Sequence, residues 1–312
     1  MISISSNGLL YFDERVQNFI KKYKNNLSLS ISIDGNKELH DACRVDLNGN
    51  GTYDRALAAE LHYHNTYQQS LTTKMTLSPD NISHTFKALK NLIEIGYQSI
   101  SLNCVYEEGW ELCHATILYN ELKKVADWLL ENDAFRKYRI SMFNKDLFKP
   151  LSPAETQNWC GGNCKGMLAF DYAGRAFPCI RYMGSSLNGC QAPYSIGSIN
   201  GLYLTSEEIK RRDTLISMTR QSQSTEECIN CPIAKGCGWC SGYNYERFGT
   251  PNKRATFICW MHKARSLATT YYYNKGYHLM GEEERLIIHL PKEDAMQIID
   301  EAEWEVLKSY EQ

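Results

Sequence analysis

The chain has 312 residues, 43% hydrophobic and 22% charged, enough for one large domain or two ordinary ones with cores of their own. A formal net charge of −2 leaves neither the basic field that marks nucleic-acid binding nor a polybasic lipid-binding segment, so small ligands or proteins are the expected partners. No apolar run approaches the roughly 20 residues that cross a bilayer, and Met1 is followed by ISISSNG rather than an apolar signal core, which predicts a cytoplasmic protein with no membrane or nucleic-acid partner.

Over residues 1–150, short apolar runs alternate with helical spacing, the pattern of parallel strands joined by crossover helices in an α/β fold. The predicted strands are Ile2–Ser5, Leu27–Ile33, Thr72–Thr76 and Ser99–Val105, the second written LSLSISI in near-strict alternation. Between them, Glu14–Lys24 sets Val16, Phe19, Ile20 and Tyr23 on one helical face, and Phe86–Ile95 does the same with Phe86, Leu89, Leu92 and Ile93. Asn81 or Ser83 is the expected cap of that second helix. A third helix, Leu112–Asn132, precedes the KPLSP stretch at Lys149–Pro153, which reads as a linker. A domain boundary near 150 is expected there.

Residues 151–265 are short pieces rich in Gly, Pro and aromatics that carry nine of the twelve cysteines. With little periodic core to offset ordering entropy, such a segment is expected to gain stability from metal. The spacing is Cys160, Cys164 and Cys179, then Cys190, then C-x2-C-x5-C-x2-C at Cys228, Cys231, Cys237 and Cys240, then Cys259. In a reducing compartment these read as metal ligands rather than disulfides, and eight of them suggest two four-cysteine sites. Five residues between Cys231 and Cys237 suit a zinc ribbon poorly and iron–sulfur cubanes better, although zinc stays open on spacing alone. Ala255–Asn274 predicts a last long helix, and 266–312 an acidic, amphipathic helical tail with a solvated face, interrupted at Pro291.

Cys164, nine residues, Gly174, four residues and Cys179, followed by the dense cysteine run and the late Cys259, resembles the SPASM domain of radical S-adenosylmethionine (SAM) peptide maturases. The resemblance implies two auxiliary [4Fe-4S] clusters, one held by Cys160, Cys164, Cys179 and Cys240, the other by Cys228, Cys231, Cys237 and Cys259. Here two residues separate Cys237 from Cys240, where family members usually have three. The first half resembles the same family: SSNG at Ser5–Gly8, SISIDGNKELHDACR at Ser30–Arg44 and the following GTYD look like its third strand, fourth strand and SAM-contacting loop. By that likeness Asn7, Ser32, Asp34 and Arg44 contact SAM. The chemistry is reasonable, since a carboxylate and a hydroxyl suit ammonium and ribose groups and a guanidinium suits a carboxylate.

The family holds its catalytic cluster with a C-x3-C-x2-C run, which this sequence does not contain. The expectation is therefore an incomplete partial (β/α)6 barrel, strands three to six, in a truncated and inactive C-terminal portion of such an enzyme. In the complete enzyme, the resemblance implies a third [4Fe-4S] cluster that cleaves SAM to a 5′-deoxyadenosyl radical, and an electron donor such as ferredoxin or flavodoxin. The auxiliary clusters would accept the electron left on the product. The sulfatase-maturing branch has an aspartate after the cysteine matching Cys179; here it is Ile180, which cannot take a proton. That favours crosslinking, and MLAFDYAGRAFPCIRYMGSSL looks like maturases of cysteine-rich CXXX-repeat ribosomal precursor peptides, predicting thioether or related crosslinks. The alternatives are an iron–sulfur electron-transfer protein, a zinc-stabilised interaction module without enzymatic activity, and a sulfatase-maturating type of enzyme. Cys43, Cys104, Cys113 and Cys190 read as plain thiols, His62 and His64 as solvated or core histidines, and Tyr271–Tyr273 as helix packing.

Overall fold

The computed structural model describes residues 2–156 and 160–311 and divides into two compact units. Unit 1 comprises residues 1–105, 111–145 and 263–312, and unit 2 comprises 106–110 and 146–262. The helices after residue 263 therefore belong with the α/β half rather than forming a separate tail.

In chain order unit 1 begins with β1 (Ile2–Ser6), α1 (Glu14–Tyr23), β2 (Leu27–Ile31), α2 (Lys37–Cys43), α3 (Tyr53–Tyr67) and β3 (Thr72–Leu77). It continues with α4 (Thr85–Ile95), β4 (Ser99–Cys104), α5 (Leu112–Glu131) and β5 (Arg139–Ile140). All strand pairs are parallel: β1 with β2, β3 with β4, and β4 with β5. Strand alternation puts Met75, Leu77, Ile100 and Leu102 into the core, where α4 and α5 cover them with Ala88, Leu89, Leu92, Leu118, Leu122 and Val125.

The cap of α4 differs from the expectation. Asn81 accepts from Ser78 N at 2.8 Å and donates to the Thr76 carbonyl at 3.1 Å, which ties the turn after β3. The N-terminus of α4 is served from α5, where the buried Glu121 carboxylate accepts from Phe86 N at 2.9 Å, an anion at the positive end of the helix.

Backbone ladders do not join β2 to β3, which lie in different sheets. Side chains cross the gap instead. The Thr73 hydroxyl accepts from Ile33 N at 3.0 Å and lies 3.3 and 3.2 Å from the Ile31 and Ile33 carbonyls, to one of which it donates. Asp34 Oδ1 accepts from Thr76 N at 3.2 Å, and Glu60 Oε2, from α3, accepts from Ile31 N at 3.3 Å. Gly35 completes the turn at φ +74°, and a Cβ there would stand 2.3 Å from the Ala88 Cβ, so the loop lies directly on α4.

Unit 2 is built on a short antiparallel meander, β6 (Ala169–Phe170), β7 (Arg175–Phe177), β8 (Gly197–Ser198) and β9 (Gly201–Leu202). Helices α6 (Ser206–Ser217), α7 (Arg220–Gln223), α8 (Glu226–Ile229) and α9 (Ser241–Phe248) follow. Its core gathers Phe177, Tyr182, Tyr194, Ile196, Leu215, Met218 and Trp239, with Cys160, Cys164 and Cys179 packed into the same cluster.

Helix α10 (Cys259–Met280) starts in unit 2 and continues in unit 1, which also holds α11 (Lys292–Ala295) and α12 (Glu301–Glu311). Tyr271 and Tyr272 are buried, as expected of helix packing, with Tyr271 Oη donating to Asp127 at 2.7 Å. The acidic segment is packed as well as charged. Leu290, Ile298, Ile299, Trp304 and Leu307 are buried, and Lys123 pairs with Glu303 at 2.5 Å, so the solvated-face expectation holds only for its outer residues. No helix among the described residues is long and apolar enough to cross a membrane.

Burial pushes the Glu60 carboxyl up from 4.5 to about 7, against the two backbone N–H groups that favour its charged form. The folded chain thus holds a proton that the unfolded chain releases near pH 4.5, so stability is fullest below that pH and falls as pH rises through about 7. The loss attributable to this group is on the order of 3 kcal/mol. Glu60→Gln should flatten the decline in urea midpoint between about pH 5 and pH 8 relative to the parent. Equal slopes in the two proteins would remove Glu60 as the cause.

Candidate functional site

Two sets of residues carry chemistry, one in each unit. In unit 1, Asn7, Ser32, Asp34 and Arg44 all lie at or beyond the carboxyl ends of β1 and β2, where parallel α/β sheets place their ligands. Ser32 N bonds to the Ser6 carbonyl at 2.9 Å, so the strands remain joined up to this point. Asn7 is exposed and turns the chain by accepting from Leu9 N at 3.1 Å, while Ser32 is half-buried.

Asp34 is buried and both its oxygens are engaged, Oδ1 by Thr76 N and Oδ2 by Arg44 Nε. This carboxylate fixes Arg44 and braces β3, and the terminal nitrogens of Arg44 make no hydrogen bond among the described residues. His40, buried in α2, supports the same corner: Nδ1 accepts from Asp34 N at 3.2 Å and Nε2 lies 3.1 Å from the Thr52 hydroxyl, which donates to the Arg44 carbonyl. Burial pushes the His40 imidazole down, as suits a neutral ring accepting at Nδ1.

In unit 2 the eight expected ligands do not gather as one cluster. Cys160, Cys179 and Cys240 lie within electrostatic reach of one another. A Cβ added at Gly162 would meet the sulfurs of Cys179 and Cys160 at 3.3 and 3.6 Å, so the backbone there lies close against both thiols. Ser241 Oγ lies 3.6 Å from Cys160 Sγ, and Tyr243 N donates to Cys240 Sγ at 3.4 Å. Burial pushes the Cys179 thiol up to about 11.

Cys228, Cys231 and Cys237 form the second set. Arg254 Nη2 donates to Cys237 Sγ at 3.0 Å, and Arg220 faces Cys237 and Cys228. Arg220 is 2% exposed and its Nε is buried without a partner. Cys164 is half-buried at φ +65° with its thiol against the Tyr203 hydroxyl, and Cys259 opens α10. Among the described residues no three His, Cys, Asp or Glu side chains converge tightly enough for a single metal ion. The donors are nevertheless all sulfur, in buried or half-buried groups crowded at glycine and faced by guanidinium cations, a fit for anionic thiolate-held clusters, whose separate irons take separate thiolates.

The other thiols stay apart from these sets: Cys43, Cys113 and Cys190 are exposed, and Cys104 is buried with its thiol pushed up to about 12. His62 lies 2.9 Å from the Tyr11 hydroxyl and His64 bonds to the Gln69 carbonyl, and among the described residues neither belongs to a group of three metal-binding side chains. Sequence reasoning missed the arginines. Arg181, two residues after Cys179, also reaches Cys240, and Arg220 and Arg254 reach Cys237 from separate segments, which no local spacing signals.

No protein-family model and no curated protein matches the sequence. Solved structures do. The structure of anSMEcpe with bound AdoMet is similar over 95% of this chain and 74% of its own, at 18% identity and a TM-score of 0.62. anSMEcpe with bound AdoMet and Cp18Cys peptide matches over 85% and 76%, at 18% identity and 0.50. Streptococcus suis SuiB bound to precursor peptide SuiA matches over 82% and 58%, at 13% identity and 0.50. At these identities the likeness is one of fold, a mixed α/β architecture with parallel sheets similar to that of radical SAM enzymes.

If the dense cysteine run divides between two sites, paired losses should reveal it. Cys228→Ala with Cys237→Ala should lose no more bound metal per chain than either change alone, whereas Cys237→Ala with Cys240→Ala should lose the content of both sites. Metal analysis after anaerobic reconstitution reads this directly. Equal losses from the two pairs would rule out the division.

Proposed function

We propose that this chain is the SAM-binding and auxiliary-cluster part of a radical SAM maturase that crosslinks a cysteine-rich ribosomal precursor peptide. The observation that carries the reading is the split of the dense cysteine run. Cys237 and Cys240 are neighbours in sequence, yet one lies with Cys228 and Cys231 and the other with Cys160 and Cys179. Interleaving of that kind is what the SPASM resemblance implies. It occurs in a chain whose fold is similar to those of AdoMet-bound and peptide-bound enzymes.

In this reading Cys160, Cys164, Cys179 and Cys240 hold one [4Fe-4S] cluster and Cys228, Cys231, Cys237 and Cys259 the other. When bound, such fully cysteine-ligated clusters supply one-electron transfer rather than an open iron for substrate. Cys164 gives up its contact with Tyr203 to serve. Arg44, oriented by Asp34, offers its terminal nitrogens to the carboxylate of SAM, and Asn7 and Ser32 offer polar groups at the same strand ends. The sequence has no C-x3-C-x2-C run, so another polypeptide segment must supply the cluster that cleaves SAM.

The second reading is sulfatase maturation, which the larger fold similarity to anSME, an anaerobic sulfatase maturase, favours. Against it stands Ile180 beside Cys179: this apolar side chain is 65% exposed and can accept no proton from a hydroxyl or thiol.

Anaerobic reconstitution should give about eight irons per chain, four for each set. Stoichiometric zinc without iron would reject the cluster reading. Joined to a segment carrying the missing run, the chain should convert SAM to 5′-deoxyadenosine and lower the mass of a cysteine-repeat peptide by two hydrogens per crosslink. Arg44→Ala should weaken SAM binding about tenfold or more without lowering iron content. SAM cleavage with an unchanged peptide would reject the substrate class, and formylglycine on a sulfatase peptide would establish the second reading.

A further inference from the structure

The two cysteine sets differ in the charges around them. Arg212, paired with Asp213 at 2.6 Å, acts on Cys164 of the first set, and beside Cys179 and Cys240 stands Arg181, within electrostatic reach of both. Its charge is already countered, because Nη2 donates to Glu107 at 2.7 Å and to Glu246 at 3.3 Å, and the Glu246 carboxylate is buried. Neutral donors among the described residues also reach these sulfurs: Tyr243 N, Ser241 Oγ and the backbone at Arg181 and Gly242.

Beside Cys228, Cys231 and Cys237 stand two guanidiniums, Arg220 and Arg254, and neither pairs with a carboxylate among the described residues. Arg254 spends its donors on Cys237 Sγ, Ser224 Oγ and the Cys237 and Gly238 carbonyls. Arg220, 2% exposed, donates to the Ala234 carbonyl and keeps a buried Nε without a partner. The nearest carboxylate influencing Arg220 is Glu155, which is itself held by Lys235 at 2.8 Å, and Glu226 and Glu227 beside Cys228 are exposed to water. A buried cation, Arg220, and a half-buried one, Arg254, without carboxylate partners among the described residues are costly unless something anionic is meant to lie against them.

We propose that these arginines set the two sites at different reduction potentials, the iron–sulfur group held by Cys228, Cys231 and Cys237 being the easier to reduce. Each added electron raises the negative charge of a thiolate-held cluster, and a buried cation or a charged hydrogen bond to sulfur stabilises the reduced form. At the Cys160, Cys179 and Cys240 site the two carboxylates on Arg181 cancel that advantage. One electron shared by the pair then rests at the second site, which is reduced by one electron as the first is oxidised by one, with no proton moved. The inference rests on the cluster reading above and adds to it an order that the fold does not by itself require.

The test is an anaerobic redox titration with dithionite, followed by electron paramagnetic resonance on the reconstituted full chain. Cys228→Ala and Cys160→Ala identify which signal belongs to which site. Arg254→Gln should lower the midpoint of the signal that Cys228→Ala removes and leave the other in place, while Arg254→Lys should keep the parent value. Glu246→Gln, by uncovering Arg181, should raise the midpoint of the signal that Cys160→Ala removes. If Arg254→Gln binds no iron, the Glu246→Gln shift and the order of the two parent midpoints decide. Full iron content with the midpoints in the reverse order, with Lys and Gln at 254 alike, or with Glu246→Gln leaving its signal unmoved would overturn this inference alone. A chain that binds no iron would overturn the cluster reading and this inference with it.

Discussion

The fold of unit 1 turns on the gap between β2 and β3. Parallel strands normally continue one ladder, and a break leaves backbone N–H and C=O groups buried without partners, each costing on the order of 1–3 kcal/mol. Here the groups at the break are met by side chains. Thr73 serves Ile31 and Ile33, Asp34 serves Thr76, and Glu60 serves Ile31 from the helix behind. The same break opens the carboxyl ends of β1 and β2, where Asn7, Ser32 and Arg44 sit. Asp34 belongs to both arrangements, since one oxygen closes the gap and the other orients Arg44. A substitution there disturbs packing and ligand binding together, so loss of binding in an Asp34 variant says less about contact with a ligand than loss in an Arg44 variant.

Unit 2 meets its ordering cost differently. Its strands are two or three residues long and three of its four helices have eight or fewer residues, so ladders and amphipathic faces supply little. What holds it is an aromatic cluster, with Tyr182, Tyr194 and Tyr245 in mutual ring contact, and the cysteines are part of that core rather than an addition to it. Thiols buried among aromatics stay protonated when alone, as the upward push on Cys179 and Cys237 shows. Arg254 on Cys237 acts in the opposite direction, favouring the thiolate where burial disfavours it. The core is thus apolar enough to exclude water and charged at the points where sulfur must carry charge.

The sequence was most legible where one residue's neighbours lie close in the chain. All four strands expected in the first half are present within one or two residues of their expected ends, because period-two alternation in LSLSISI or SISLNC is a local signal. The helices α2 and α3 were not separately placed. Their segment, KELHDAC to HYHNTY, carries His40 and Glu60 on faces that a hydrophobic period alone reads as polar. Burial of those two residues is set by Asp34 and the β2–β3 gap, which no local window contains. The meander of unit 2 was equally invisible, its strands being shorter than one period of any pattern.

The candidate site follows the same division. Cysteine spacing marked the donors, since ligand runs are local by construction, and the split between Cys237 and Cys240 came into view only through the resemblance and the fold. Of the charges around the donors only Arg181 stands near one in sequence, two residues after Cys179, yet it lies 59 residues before Cys240, and Arg254 lies 17 after Cys237. Those charges matter more than the donor count for what a bound cluster would do. In the proposed reading eight cysteines set how many irons can be held, but two sites with identical ligands differ only through what surrounds them, and here Arg181 is covered by carboxylates while Arg220 and Arg254 meet only carbonyls, a hydroxyl and sulfur among the described residues. Under the proposed cluster reading, that asymmetry would give the two cysteine sets separate roles, which a ligand motif that is the same at both could never have distinguished.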